Sequence, residues 1–189
     1  MSIDTKTALL NSAERAARTL GFDGFSYADL AEDVGIRKAS IHHHFPSKAN
    51  LSVELMHRYY LDLERICADI NENSTSGGAR LTALIQRYYS GLDGGKSLCL
   101  CVSFTTSLKS LPPEAVQQIN RFRAMMIDWL EITFETGRAD GSIANVTYPA
   151  LEAAAALPLF EGAQLAARTE ENPELFDNAL QLLRSRITT

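Results

Sequence analysis

Apolar residues recur at three- and four-residue intervals along almost the whole chain, and no stretch alternates for long enough to read as a strand. The first helix predicted runs from Thr5 to Leu20, with Ala8, Leu9, Ala13, Ala16, Ala17 and Leu20 on one broad face, and Gly21 stands where a glycine ends a helix. Ser26 then reads as the N-cap of a short helix, Tyr27 to Val34, with Asp29 three residues on and Gly35 as its stop. A third helix, Lys38 to His44, ends at Phe45-Pro46, because the residue before a proline is pushed out of the helical region. Ser47 caps a long fourth helix from Lys48 to about Ile70, and Asn71 to Gly78 reads as a flexible linker. Further helices are predicted at Ala79 to Leu92, Ser97 to about Ser110, Pro113 to about Thr136, Tyr148 to Arg168 and Pro173 to about Ile187. The expected fold is all-α, about nine helices, with a compact three-helix unit over residues 1–50 and a helical bundle over residues 51–189.

Between Ser26 and Phe45 the spacing is that of a helix-turn-helix. Small Ala31 lets two helices approach, and Gly35 takes a left-handed turn without steric cost. Leu30, Val34, Ile36 and Ile41 supply a small core, which leaves Lys38, Ser40, His42 and His43 facing outwards. A helix so placed enters a major groove, while phosphate contacts set its register.

The run AEDVGIRKASIHHHFPSKANL, residues 31–51, resembles the signature of the TetR family of bacterial repressors. So does the preceding helix, which ends in Leu20-Gly21-Phe22 and leads to Phe25-Ser26-Tyr27. The resemblance is confined to this front unit; the rest matches the family in helix number and length. It implies that Ser26 and Tyr27 open the positioning helix against the DNA backbone. Arg37, Lys38, Ala39, Ser40, His42 and His43 would lie on or beside the groove. His44 and Lys48 would approach phosphates, Lys48 from a helix N-terminus whose dipole also favours an anion. His42 stands where the family usually has tyrosine, and Arg37 where a capping Ser or Thr is usual.

Composition at first points the other way. The chain is 46% hydrophobic and 22% charged, which excludes a disordered segment, but 18 basic against 23 acidic residues leave it at −5. Residues 1–50 hold six of each sign, so the deficit belongs to the remainder, and DNA binding has to come from a local patch around Arg37, Lys38 and Lys48. The uncharged stretch Ser97 to Leu108 is far short of the roughly twenty residues of a membrane span. No basic and apolar leader follows Met1, and Cys67, Cys99 and Cys101 form an odd set without metal-finger spacing. A cytoplasmic protein with reduced thiols, no membrane partner and no cofactor is expected.

Three further groups of residues have two readings each. His42, His43 and His44 lie about 100° apart on a helix and cannot converge on one ion, so no metal site is expected. Cys99 and Cys101 are either small core residues or, near Lys96 and a helix N-terminus, an electrophile or redox sensor. Tyr88, Tyr89, Phe104, Phe122, Met125, Met126, Trp129 and Phe160 are core, with a subset (Tyr88, Phe104, Phe122, Met125, Met126, Trp129 and Phe160, together with Cys99) expected to wall an effector pocket. The last two helices carry more apolar surface than a monomer's periphery needs. The family resemblance implies that Ala156, Leu157, Phe160, Ala163, Leu175, Phe176, Ala179 and Leu183 pair with a second copy as a four-helix bundle.

The function expected is a ligand-responsive transcriptional repressor, a homodimer released from a palindromic operator DNA by a small-molecule effector. One alternative is a redox- or electrophile-sensing regulator acting through Cys99 or Cys101. The rival from another class, a helical ligand carrier or enzyme, lacks any nucleophile–base pair, metal spacing or phosphate-cradling loop, and the chain is read as a non-enzyme.

Overall fold

The computed structural model describes residues 4–188, and among them nine α-helices and no β-strand. They are α1 (Thr5–Leu20), α2 (Tyr27–Val34), α3 (Lys38–His44), α4 (Lys48–Asn73), α5 (Gly77–Ser90), α6 (Leu100–Thr105), α7 (Pro113–Asp140), α8 (Pro149–Thr169) and α9 (Glu174–Arg184), with a 3-10 turn at Leu108–Ser110. The first three helices have the bounds expected of them. No helix among the described residues is long and apolar enough to cross a membrane.

Two predicted elements differ from those observed. The segment Asn71 to Gly78 is not a flexible linker: α4 continues to Asn73, and α5 already begins at Gly77 behind the N-cap Ser76, whose hydroxyl accepts from the Ala79 amide at 3.1 Å. Its glycines serve close packing. A Cβ on Gly77 would lie 2.2 Å from the backbone nitrogen of Gly137, and the Gly77 and Gly78 amides donate to Asp140 Oδ2 (2.9 Å) and Ser142 Oγ (2.7 Å). The long helix expected from Ser97 is a short α6 followed by the 3-10 turn. There, Thr105 and Thr106 turn their hydroxyls back onto the Cys101 and Ser103 carbonyls (2.8 and 2.7 Å), competing with the helical ladder.

The chain forms two compact units. One comprises the chain up to Leu61 together with Leu100–Arg121, and the other Asp62–Cys99 with the segment from Phe122 onwards. A boundary at residue 50 falls inside α4. The first unit is larger than its front helices because α6 packs on α1: Ser103 Oγ donates to the Ala17 carbonyl at 2.5 Å, and the Phe104 ring meets Phe22 edge-on at 5.0 Å. Its core is built from Leu9, Ala13, Leu30, Ile41, Phe45, Leu51 and Leu55, all essentially without exposure. In the second unit α8 and α9 pack on each other and α5 on α9, around Leu81, Leu84, Phe134, Leu157, Phe160, Phe176 and Leu180.

Candidate nucleic-acid interface

The geometry of the reading helix is set by short-range contacts. At the start of α2, Ser26 Oγ accepts from the Ala28 amide (3.2 Å), while Asp29 Oδ2 accepts from the Ser26 amide (2.6 Å) and hydroxyl (2.8 Å). The hydrogen bonds from Ser26 hold the Asp29 carboxyl below its ordinary range. α2 is tied to α1 through Asp33, whose Oδ2 accepts from Ser12 Oγ (2.5 Å) and Arg15 (2.6 Å), and the Ser12 bond leads in holding this carboxyl low as well. Gly35 then turns the chain at φ +73°, and the Ile36 amide closes the turn on the Ala31 carbonyl at 2.9 Å. The turn delivers α3 at a fixed angle.

Two residues lock the far end of the motif. Tyr27 is buried, its hydroxyl donates to the Phe45 carbonyl at 3.0 Å, and burial pushes that hydroxyl up to about 12. The Lys48 ammonium donates to the Phe22 and Phe25 carbonyls, each at 2.5 Å, and lies over the Phe25 and Phe22 rings at 4.0 and 4.7 Å. Burial holds this amine below the ordinary lysine range, against the opposing pull of Asp23 and Asp29. Both residues were expected at the DNA backbone. Tyr27 instead points into the protein, and Lys48 spends two of its three donors on the loop between α1 and α2.

What remains open to a ligand is one face of α3. Arg37, Lys38, Ala39, Ser40, His42 and His43 are all exposed, and His44 is half-buried. Arg37 occupies the N-cap of α3 without a side-chain cap, which leaves its guanidinium at the mouth of the helix. His42 lies edge-on to Tyr27 at 5.1 Å, with Nδ1 3.2 Å from the Pro46 carbonyl, and the His43 and His44 rings meet at 5.4 Å. Beside the end of α3 a groove of about 710 Å³ is lined by His44, Asn50, Glu54, His57, Glu114 and Gln118 among others. His57, which no spacing in the sequence places near the other histidines, therefore shares a groove with His44.

The expected effector residues separate. Phe104 belongs to the first unit, packed on Phe22, because the helix that carries it docks on α1. In the second unit the Tyr88 ring stacks on Phe160 at 4.8 Å, and Phe160 lies 6.4 Å from Phe176. The Cys99 amide donates to Gln164 Oε1 at 2.6 Å, and Gln164 Nε2 donates to the Phe160 carbonyl at 3.3 Å. A second cluster holds Met126, 4.0 Å from the Cys67 sulfur, and Trp129, whose Nε1 donates to Asn71 at 3.2 Å. Phe122 is buried and Met125 half-buried. Sequence reasoning passed over Gln164, the one amide in the apolar run from Leu157 to Ala167, and Thr133, whose buried hydroxyl has no partner. All three cysteines are buried, and burial pushes the Cys67 thiol up to about 12.

The residues expected at a subunit interface also turn inwards. Ala156, Leu157, Phe160, Ala163, Phe176 and Leu183 are buried within one chain, and Leu175 and Ala179 are half-buried. Hydrophobicity alone cannot separate a helix's core face from an interface face. The large apolar side chains left outside on these helices are Leu151 (67% exposed), Leu182 (82%), Leu165 and Leu159.

Residues 9–55 match the family described as bacterial regulatory proteins, tetR family. The chain is similar over its length to the HTH-type transcriptional repressor NemR of Escherichia coli, at 24% identity over 98% of this chain and 95% of that one. A TetR-family transcriptional regulator from Agrobacterium tumefaciens shares its fold at a TM-score of 0.86, with 29% identity over 98% of this chain and all of that one. A TetR transcriptional regulator from Legionella pneumophila superposes at 0.88, with 26% identity and full coverage of both.

Proposed function

The chain belongs to the tetR family of bacterial regulatory proteins, and from that premise we propose a DNA-binding, ligand-responsive repressor that works as a homodimer. The observation that carries the reading is the capped helix-turn-helix, which offers Arg37, Lys38, Ser40, His42 and His43 to solvent while Tyr27 and Lys48 are tied within the protein. Two such helices, one from each subunit, would enter successive major grooves of a palindromic operator, with half-sites roughly 34–36 Å apart.

The partner surface in this reading is the outward stripe of α8, Leu151, Ala155, Pro158, Gly162 and Leu165, continued on α9 by Leu182. All six are exposed and none is charged. Such a stripe on a two-helix layer is what a second copy covers in a two-fold four-helix bundle. The effector, a small molecule, is assigned to the second unit. Tyr88 and Phe160 supply aromatic wall there, and Gln164 and Thr133 supply polar groups. α4 begins at Lys48 beside the reading motif and continues to Asn71, which holds Trp129, so it is the element through which a bound effector biases the reading helices. A repressor of this kind works in the cytoplasm, where its DNA is, and performs no catalysis.

The test is a binding titration on DNA from upstream of the protein's own gene. Selective binding that an Arg37→Ala, Lys38→Ala double variant weakens, with the dimer mass retained in sedimentation, supports the reading. Unchanged binding by that variant refutes it.

A further inference from the structure

All four histidines of the chain, His42, His43, His44 and His57, lie in the unit that carries the reading helix. That unit is otherwise close to neutral: Lys6, Arg15, Arg18, Arg37, Lys38, Lys48, Arg58, Lys109 and Arg121 face eight carboxylates, whereas the second unit has nine basic against fifteen acidic residues. We propose that proton uptake by the histidines of the reading unit tightens its hold on operator DNA, so that affinity rises as pH falls. This rests on the DNA-reading role assigned to α3 above.

Thermodynamic linkage sets the direction. An imidazole is the side chain whose charge ordinarily changes between about pH 5 and 8. His42 and His43 stand exposed on α3 beside Arg37 and Lys38, where a bound duplex brings phosphates. A nearby anion favours the protonated ring, so DNA raises the proton affinity of these rings, and reciprocity requires protons to raise the affinity for DNA. A group more easily protonated in the complex adds binding below its bound-state midpoint and loses it as pH rises through that value.

Each ring has charged or polar neighbours of its own. His42 faces the neutral Tyr27 ring of α2 and the Pro46 carbonyl. That oxygen only accepts, so Nδ1 carries the hydrogen and Nε2 is the atom that gains the proton. His43 meets the His44 ring, and Arg37 and Lys38 stand at the start of the same helix. His44 and His57 share their groove with Glu54 from α4 and Glu114 from α7, and Glu54 also pairs with Lys6 of α1. Full protonation would add four positive charges to a unit whose basic residues outnumber its acidic ones by one. Phosphate neutralisation should therefore rise as well, and with it the dependence on salt.

The experiment uses the full chain and a labelled operator fragment at constant ionic strength, at pH 6.0, 7.0 and 8.0. Binding is expected to be about sixfold tighter at pH 6 than at pH 8, the share of the limiting tenfold that falls in this window when DNA raises the midpoint of one ordinary imidazole by about one pH unit. The salt slope should also be steeper at pH 6. A His42→Gln, His43→Gln variant is read by its own pH slope, whatever its affinity, and should lose most of it. Far-UV circular dichroism checks its helices, with His43→Gln alone as the milder substitute at a fully exposed position. A flat profile in the unaltered protein with selective binding intact overturns this inference alone, as does a full pH slope in the folded variants. No selective binding at any pH overturns the DNA-reading assignment itself.

Discussion

The two units bury the same apolar kinds of residue, yet sequence reasoning fared differently in each. In the unit containing α1 to α3, the outward residues are marked by a polar motif, and Arg37, Lys38, Ser40, His42 and His43 are where their spacing puts them. In the other unit the residues of interest were picked for being apolar. Six of the eight expected at a subunit interface are buried inside a single chain. A polar side chain without a partner inside the protein stays exposed, because burying it unpaired is costly, whereas Tyr27 and Lys48 turn inward onto backbone carbonyls. An apolar side chain declares nothing, because core and interface are lined by the same residue types.

Substitutions that strike one unit and spare the other probe this contrast. The largest effect is expected from Phe160→Ala, which empties a fully buried site between Tyr88 and Phe176 and should cost about 3–5 kcal/mol in chemical denaturation. By contrast, Leu182→Glu, at an 82% exposed position, should split the dimer in sedimentation while leaving helix content intact. A variant that stays dimeric would remove the outward stripe from the interface. Lys48→Met deletes an ammonium that bridges two carbonyls, and a loss of about 1.5–3 kcal/mol is expected, the range for hydrogen bonds to charged groups. Were Lys48 only a phosphate contact, stability would not change and operator affinity alone would fall.

Smaller still, Arg37→Ala should weaken operator binding by about tenfold and lower the salt slope by about one, measured by anisotropy. The smallest effect concerns acid. Asp29 and Asp33 have carboxyls held below their ordinary value of 3.8, so their support is fully present well above that value and is lost as pH falls through the lowered folded-state values. Asp33→Asn should therefore flatten the acid limb of the stability curve, read by circular dichroism below about pH 4.

The helical class and the limits of α1, α2 and α3 were legible because caps and stops are local: Ser26 with Asp29, Gly35, and Phe45-Pro46 each act within a few residues. The inward roles of Tyr27 and Lys48 were not. Each is decided by a carbonyl 18 to 26 residues away, and no spacing rule reports where a distant carbonyl points. Phe104 was misplaced for a similar reason, since its helix docks on α1 through Ser103 and Ala17. Gln164 left a faint signal, a lone amide in an apolar helix, that a count of buried polar groups could have raised. Glycine misled most: in Asn71 to Gly78 it suggested slack, and the chain uses it for contact.

That contact bears on how the protein can change over time. Gly77 lies against the backbone of Gly137, so it cannot acquire even a methyl group while α7 stays where it is; a Cβ on Gly137 would meet the Ile143 side chain at 2.4 Å. Most surface positions here can drift one substitution at a time. Gly77 cannot: a first step there requires moving a helix, and no change of side chain restores the space, because the obstacle is backbone. The seam between α5 and α7 is thus a point where descent is held to one solution at Gly77.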